Sequence, residues 1–140
     1  MIRKRAVQRD MERIGSEGCY FLSLIVAVER ELDSELDIYA VYLASLEAGA
    51  IGEDCYVYEP QNILDTYLGG KWNVSKMPAA YFASEGDIVI MRYERKDGMK
   101  TWAHFVLADR SGAKVEYDPY GTSKTVSDGQ LVSKRVLRRI

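Results

Sequence analysis

The chain has 140 residues, of which 47% are hydrophobic, and a formal net charge of -2. That length and apolar content suit one domain over residues 1–140 with a real core, and they argue against global disorder. A charge so close to neutral supplies no field that would gather nucleic acid or an anionic membrane. Basic residues do collect at the two ends: Arg3, Lys4, Arg5, Arg9 and Arg13 at one, Lys134, Arg135, Arg138 and Arg139 at the other. Aromatic side chains are not interleaved with them as a single-stranded nucleic-acid site requires, so they read as solvated faces. No stretch approaches 18 apolar residues, which excludes a membrane-spanning helix. Gln8, Arg9, Asp10 and Glu12 interrupt any apolar run after the basic start, so no ordinary signal peptide is expected and a cytoplasmic location is the default. Export by a lysis system or a specialised secretion machine would leave no such signal.

The first part of the chain reads as helices. Ala6, Val7, Met11 and Ile14 recur at helical spacing until Gly15, and Ser16 to Gly18 reads as a turn. A second helix runs from about Cys19 to Arg30 and is apolar nearly all round, as expected of a buried central helix. Asp33 or Ser34 can cap a third, with Leu36, Tyr39, Ala40, Leu43 and Leu46 on its inner face and Gly49 at its end. Cys55 to Tyr58 is a short strand or extended entry. Pro60 opens a short helix, Gln61 to Tyr67, that stops at Gly69-Gly70. Residues 71–80 carry no clear period.

The pattern then changes to period 2. Ile88 to Tyr93 is a strand, Lys96-Asp97-Gly98 a hairpin turn, and Lys100 to Ala108 the partner strand. Arg110-Ser111-Gly112 turns the chain into Lys114 to Tyr117, which Pro119-Tyr120-Gly121 breaks. Val132 to Ile140 closes the chain as a strand or short helix. Helices followed by an antiparallel sheet make an α+β domain.

Two cysteines do not make a disulfide scaffold, and a Cys19–Cys55 bridge is not favoured. They also lack the close pairing of a zinc site. With no GxxxxGKS loop and no GxGxxG, neither a cofactor nor a metal is implied. The acidic residues Glu53-Asp54 and Asp33 to Asp37 read as surface.

The residues that carry chemistry are Cys19, the single histidine His104, and Asp118. Cys19 follows Gly18 at the start of an apolar helix, where oriented N–H groups favour a thiolate. His104 lies on an apolar strand, and Asp118 ends the next one. A helix-borne thiol, a strand-borne imidazole and an orienting carboxylate are the parts of a nucleophilic site.

This constellation resembles the papain-like cysteine peptidases of small bacterial type, above all the bacteriocin-processing (double-glycine leader) peptidases and their stand-alone relatives. Gly18-Cys19-Tyr20-Phe21-Leu22-Ser23-Leu24, His104-Phe105-Val106-Leu107 and Asp118-Pro119 carry the likeness. The chain also looks like an uncharacterised family from spirochaete or phage-borne genomes. The first resemblance implies a papain-like fold, with N-terminal helices packed on a C-terminal antiparallel sheet. It implies a catalytic triad of Cys19, His104 and Asp118, and a peptide or protein substrate. Such enzymes place a glutamine about six residues before the cysteine as an oxyanion donor; here that residue is Arg13, and Gln8 is the nearest glutamine upstream. Losing one donor costs about 100-fold or more in rate.

Two readings follow. One is a thiol-dependent hydrolase, a cysteine peptidase or amidase, that forms an acyl-enzyme on Cys19, with Trp72, Trp102 and Tyr20 as candidate cleft residues. The alternative is a catalytically inactive papain-like domain that serves as a protein-binding module, through the basic ends or the tyrosines Tyr56 and Tyr58.

Overall fold

The computed structural model describes residues 2–140, with side chains from Lys4 onward; Met1 and the side chains of Ile2 and Arg3 lie outside the description. Helices α1 (Ile2–Glu17), α2 (Cys19–Leu32), α3 (Ile38–Glu47) and α4 (Pro60–Leu68) come first. Strands β1 (Trp72–Pro78), β2 (Ile88–Asp97), β3 (Lys100–Ala108), β4 (Val115–Tyr117) and β5 (Gln130–Arg139) follow, with the short helix α5 (Lys124–Ser127) before β5. The strands form one antiparallel sheet in the order β1-β5-β2-β3-β4. The α+β architecture read from the sequence is therefore the observed one. Among the described residues, no helix is long and apolar enough to cross a membrane.

Helix α2 is the centre of the molecule because its apolar residues leave no face for water. Phe21, Leu24, Ile25, Ala27 and Val28 are fully buried. They join Tyr42, Ile63, Leu64, Ile88, Ile90, Leu107 and Leu137 in one cluster between the helices and the sheet. The far side of the sheet is covered too: Val89, Met91, Val106, Ala108 and Val136 pack against Tyr81, Ala83, Val126 and Leu131. Burial on both faces explains why β2 begins as an uninterrupted apolar run rather than an alternating one.

Several local expectations need correction. The first helix does not stop at Gly15 but runs to Glu17. Only Gly18 separates it from α2: the Gly18 N–H still bonds the Ile14 carbonyl, and the Gly18 carbonyl accepts from Leu22. Asp37 caps α3, its carboxylate accepting from the Ala40 N–H, whereas Asp33 ends α2 in the left-handed region. Leu36, Tyr39 and Leu46 pack against the core as expected, but Ala40 and Leu43 are exposed, and the fully buried residues of α3 are Val41, Tyr42 and Ser45. A tyrosine can take that place because its hydroxyl donates to the Glu53 carbonyl. Cys55 to Tyr58 is no strand; it contributes a single bridge, Val57 to Ile51. Residues 72–78 are the strand the sequence leaves unassigned. The last segment is a strand, as one of its two readings had it, and lies inside the sheet, between β1 and β2.

Three cations of the C-terminal basic run have partners of their own. Lys134 is buried and donates to the Tyr81 and Gly112 carbonyls. Arg138 pairs with Asp87, and Arg139 donates to the Gly69 carbonyl.

Candidate active site

Cys19 is the first residue of α2, and Gly18 is there for space. Its φ of -95° suits any residue, but a Cβ at this position would run into the Ile14 carbonyl oxygen. Because the α1 hydrogen bonds end at Gly18 and those of α2 begin with Leu22, the thiol sits among the orphan N–H groups of a first helical turn. Cys19 is half-buried, and both cysteines are free thiols.

His104 lies in the middle of β3, opposite Tyr93 of β2. It is 1% exposed, so its ring nitrogens must find partners inside the protein. Nε2 lies 2.6 Å from a carboxylate oxygen of Asp118, which follows directly after β4. Nδ1 is buried and makes no complete hydrogen bond in the resting geometry. Cys19 acts on this ring at short range. Burial alone pulls the imidazole pKa down, but hydrogen bonding and negative charge from Cys19 and Asp118 outweigh it and raise it above its ordinary value. The structure thus joins His104 directly to Asp118, and the influence of Cys19 reaches the same ring.

Tyr120 completes the arrangement and is a residue that sequence reasoning used only as a strand breaker. Its ring stacks on His104 with centroids 4.4 Å apart. Its hydroxyl donates to the Ser16 carbonyl at 2.7 Å, and its N–H donates to the Asp118 carboxylate at 2.8 Å. The signal available in the sequence was its position, an aromatic two residues after the orienting acid.

A cleft of about 390 Å³ opens beside the thiol. Cys19 and Tyr20 of α2, the Cys55–Val57 segment, and Val74, Phe105 and Arg135 of the sheet line it. Tyr20 fulfils its expected place: it stacks on Phe105 at 4.5 Å, and burial pushes its hydroxyl pKa up to about 12 against the opposing pull of Arg135. The other aromatic candidates do not. Trp72 is a core residue, 7% exposed, whose indole N–H donates to the Gly69 carbonyl. Trp102 is exposed on β3 between Arg95 and Lys100 and does not line the cleft. Gln8 is exposed on α1, with continuous helix between it and Glu17. At the α-helical rise, ten residues put it on the order of 15 Å along the axis from Gly18, which removes it as an oxyanion donor. The neighbouring amides of α2 are the donors at hand.

Cys55, the second thiol in the cleft wall, is of a different kind. It is 2% exposed, and burial first, then the charge of Asp54, Glu17 and Asp10, pushes its pKa up to about 11.

A family model described as a protein of unknown function, DUF261, matches residues 2–139, and the chain belongs to that family. No curated protein and no solved structure matches it.

Proposed function

We propose that this DUF261 protein is a thiol-dependent hydrolase of papain-like architecture, a cysteine peptidase or amidase that cleaves a peptide or isopeptide bond through an acyl-enzyme on Cys19. One observation carries the reading. The His104 ring is held at Nε2 by Asp118, while its buried Nδ1 has no completed partner and Cys19 is the thiol that acts on it. With Asp118 accepting from Nε2–H, Nδ1 presents its lone pair and takes the thiol proton. The thiolate attacks the carbonyl carbon, and the first-turn amides of α2 stabilise the oxyanion. The imidazolium then returns the proton to the leaving amine, and the same base activates the water that releases the acid.

The test is the rate of Cys19 alkylation against pH, in wild type and in His104→Ala. A thiol reactive below about pH 7 that loses this profile in the variant supports the pair. An ordinary thiol titrating near about 8.5, indifferent to His104, overturns it. Turnover of a substrate that survives Cys19→Ala would also do so.

The distance of Gln8 from the thiol favours the second reading, an inactive domain that binds protein. Tyr56 and Tyr58 are both 63% exposed with ring centroids 4.9 Å apart. That reading predicts partner binding that Cys19→Ala leaves intact and that a Tyr56→Ala, Tyr58→Ala double variant abolishes.

A further inference from the structure

Six arginines of this protein have carboxylate partners, while Arg5, Arg9 and Arg139, like Arg135, do not among the described residues. Arg92 pairs with Glu94, Arg138 with Asp87 and Arg30 with Glu116. Arg135 has none among the described residues. Its guanidinium donates to the Ser133 hydroxyl at 2.9 Å and lies over the Phe105 ring, 5.4 Å from the centroid. It is half-buried in the wall of the cleft that holds Cys19.

The strand register adds a second cation. Lys76 of β1 stands directly opposite Arg135 of β5 and lines the same cleft. Lys76 has no ion pair among the described residues. Like charges facing each other across two strands destabilise a sheet, so folding gains nothing from this pair. Burial and the nearby Arg92 both work against the Arg135 charge, yet a guanidinium stays protonated at every physiological pH. Among the described residues the only carboxylate in the lining is Glu17, at the end of α1.

We infer that the cleft recognises a substrate carboxylate close to the scissile amide, with Arg135 as its main ligand and Lys76 as the second cation. The inference deepens the hydrolase reading and rests on it. A planar guanidinium matches a carboxylate in two parallel hydrogen bonds, and the apolar walls of Tyr20, Phe105 and Val74 strengthen the attraction by excluding water. The substrate is then an acidic peptide: its carboxylate is either a C-terminus or a Glu or Asp side chain.

The probe is a pair of alkylating agents, iodoacetate and iodoacetamide. In both, the thiolate forms a C–S bond as iodide leaves; they differ in carrying a carboxylate or a neutral amide. The measured quantity is the ratio of their rates at Cys19, against the same ratio for N-acetylcysteine. The expected ratio is about tenfold above that reference at low ionic strength and shrinks with added salt. It falls severalfold in Arg135→Gln and in Lys76→Gln, is kept only in part in Arg135→Lys, which retains the charge without the planar fork, and holds in Lys114→Gln, in the β3–β4 turn. Lys76 is exposed, so its variant keeps the test valid should Arg135→Gln fail to fold. A wild-type ratio equal to that of N-acetylcysteine overturns the inference, as does a raised ratio that neither charge-neutral variant lowers. The iodoacetamide rate and its pH profile report thiol activation separately, so failure of the hydrolase reading and failure of this inference look different. Two protection arms identify the source of the carboxylate: acetyl-Ala-Ala against its C-terminal amide, and acetyl-Glu amide against acetyl-Gln amide. Better protection of Cys19 by either acid supports the inference and names the source; no advantage for either acid overturns it.

Discussion

The rings of His104 and Tyr120 lie face to face, 14° from parallel, and the tyrosine hydroxyl is anchored on the Ser16 carbonyl just before the nucleophile's helix. One side chain therefore fixes the imidazole plane and ties the β4–α5 loop to the end of α1. Tyr120→Phe keeps the stack and removes the anchor; Tyr120→Ala removes both. The expected loss in Cys19 reactivity near pH 7 is about threefold for the first and about tenfold or more for the second, since misplacing a catalytic group by about 1 Å can cost 10²-fold. Alkylation kinetics check this. Equal rates in all three proteins would show that Tyr120 only covers the ring.

Gly18→Ala forces a Cβ against the Ile14 carbonyl oxygen, which is backbone and cannot swing away. Overpacking of this kind costs about 1–3 kcal/mol, and the strain falls on the residue before Cys19. The variant is expected to melt lower than wild type and to react more slowly at the thiol. Thermal unfolding and alkylation are the readouts. Gly15→Ala, where the new methyl group meets nothing within 4 Å, should melt at or above wild type.

Cys55 is expected to stay unlabelled while Cys19 reacts. A thiol pushed up to about 11 is almost entirely protonated near pH 7, and the protonated form is not the nucleophile. Intact mass after brief iodoacetamide treatment should show one adduct, located on Cys19, and two only after denaturation.

Asp87 gives the fold an acid-sensitive ion pair. Its carboxyl is lowered to about 2, first by its hydrogen bonds with Arg138. A depressed pKa stabilises the folded state above the unfolded value of about 3.9 and loses that contribution as pH falls through about 2. Arg138→Gln should destabilise the fold near neutral pH, though modestly, because solvent screens the exposed guanidinium. The gap from wild type should close in acid, and urea unfolding at several pH values measures it.

His104 acts with the opposite sign. Its folded pKa is raised, so the stability it confers is fully present below the ordinary imidazole value of about 6.5 and is lost as pH rises through the folded value. Melting temperature should fall over that window in wild type and stay flatter in Asp118→Asn. A parallel fall in both proteins would exclude the His104–Asp118 pair as its source.

Cys19, His104 and Asp118 stand out in the sequence because each carries a chemical type that is rare or placed at an element boundary. The strands around them depend on partners. Trp72 to Pro78 mixes polar and apolar residues and ends in proline, so it reads as nothing until β5 pairs with it. The tryptophans suggest a substrate surface by type alone, but Trp72 is held in the core by the Gly69 carbonyl. Arg135 reads as part of a charged tail until the register sets it opposite Lys76. Tyr120 shows in one dimension only its place after Asp118, because its anchor, Ser16, lies 104 residues away. For β1, Arg135 and Tyr120, what the sequence could not supply is a non-local contact.

The position of β5 inside the sheet orders events in time. Trp72 meets Arg139 and Ile88 meets Leu137, whereas the β2–β3 hairpin closes on its own turn. Local hairpins close early, and pairings across long sequence separations form late. The cysteine helix can settle on the hairpin that carries His104 while the wall holding Lys76 and Arg135 is still missing. Contact order thus leads us to expect the wall holding Lys76 and Arg135 to be the last part of the cleft to form.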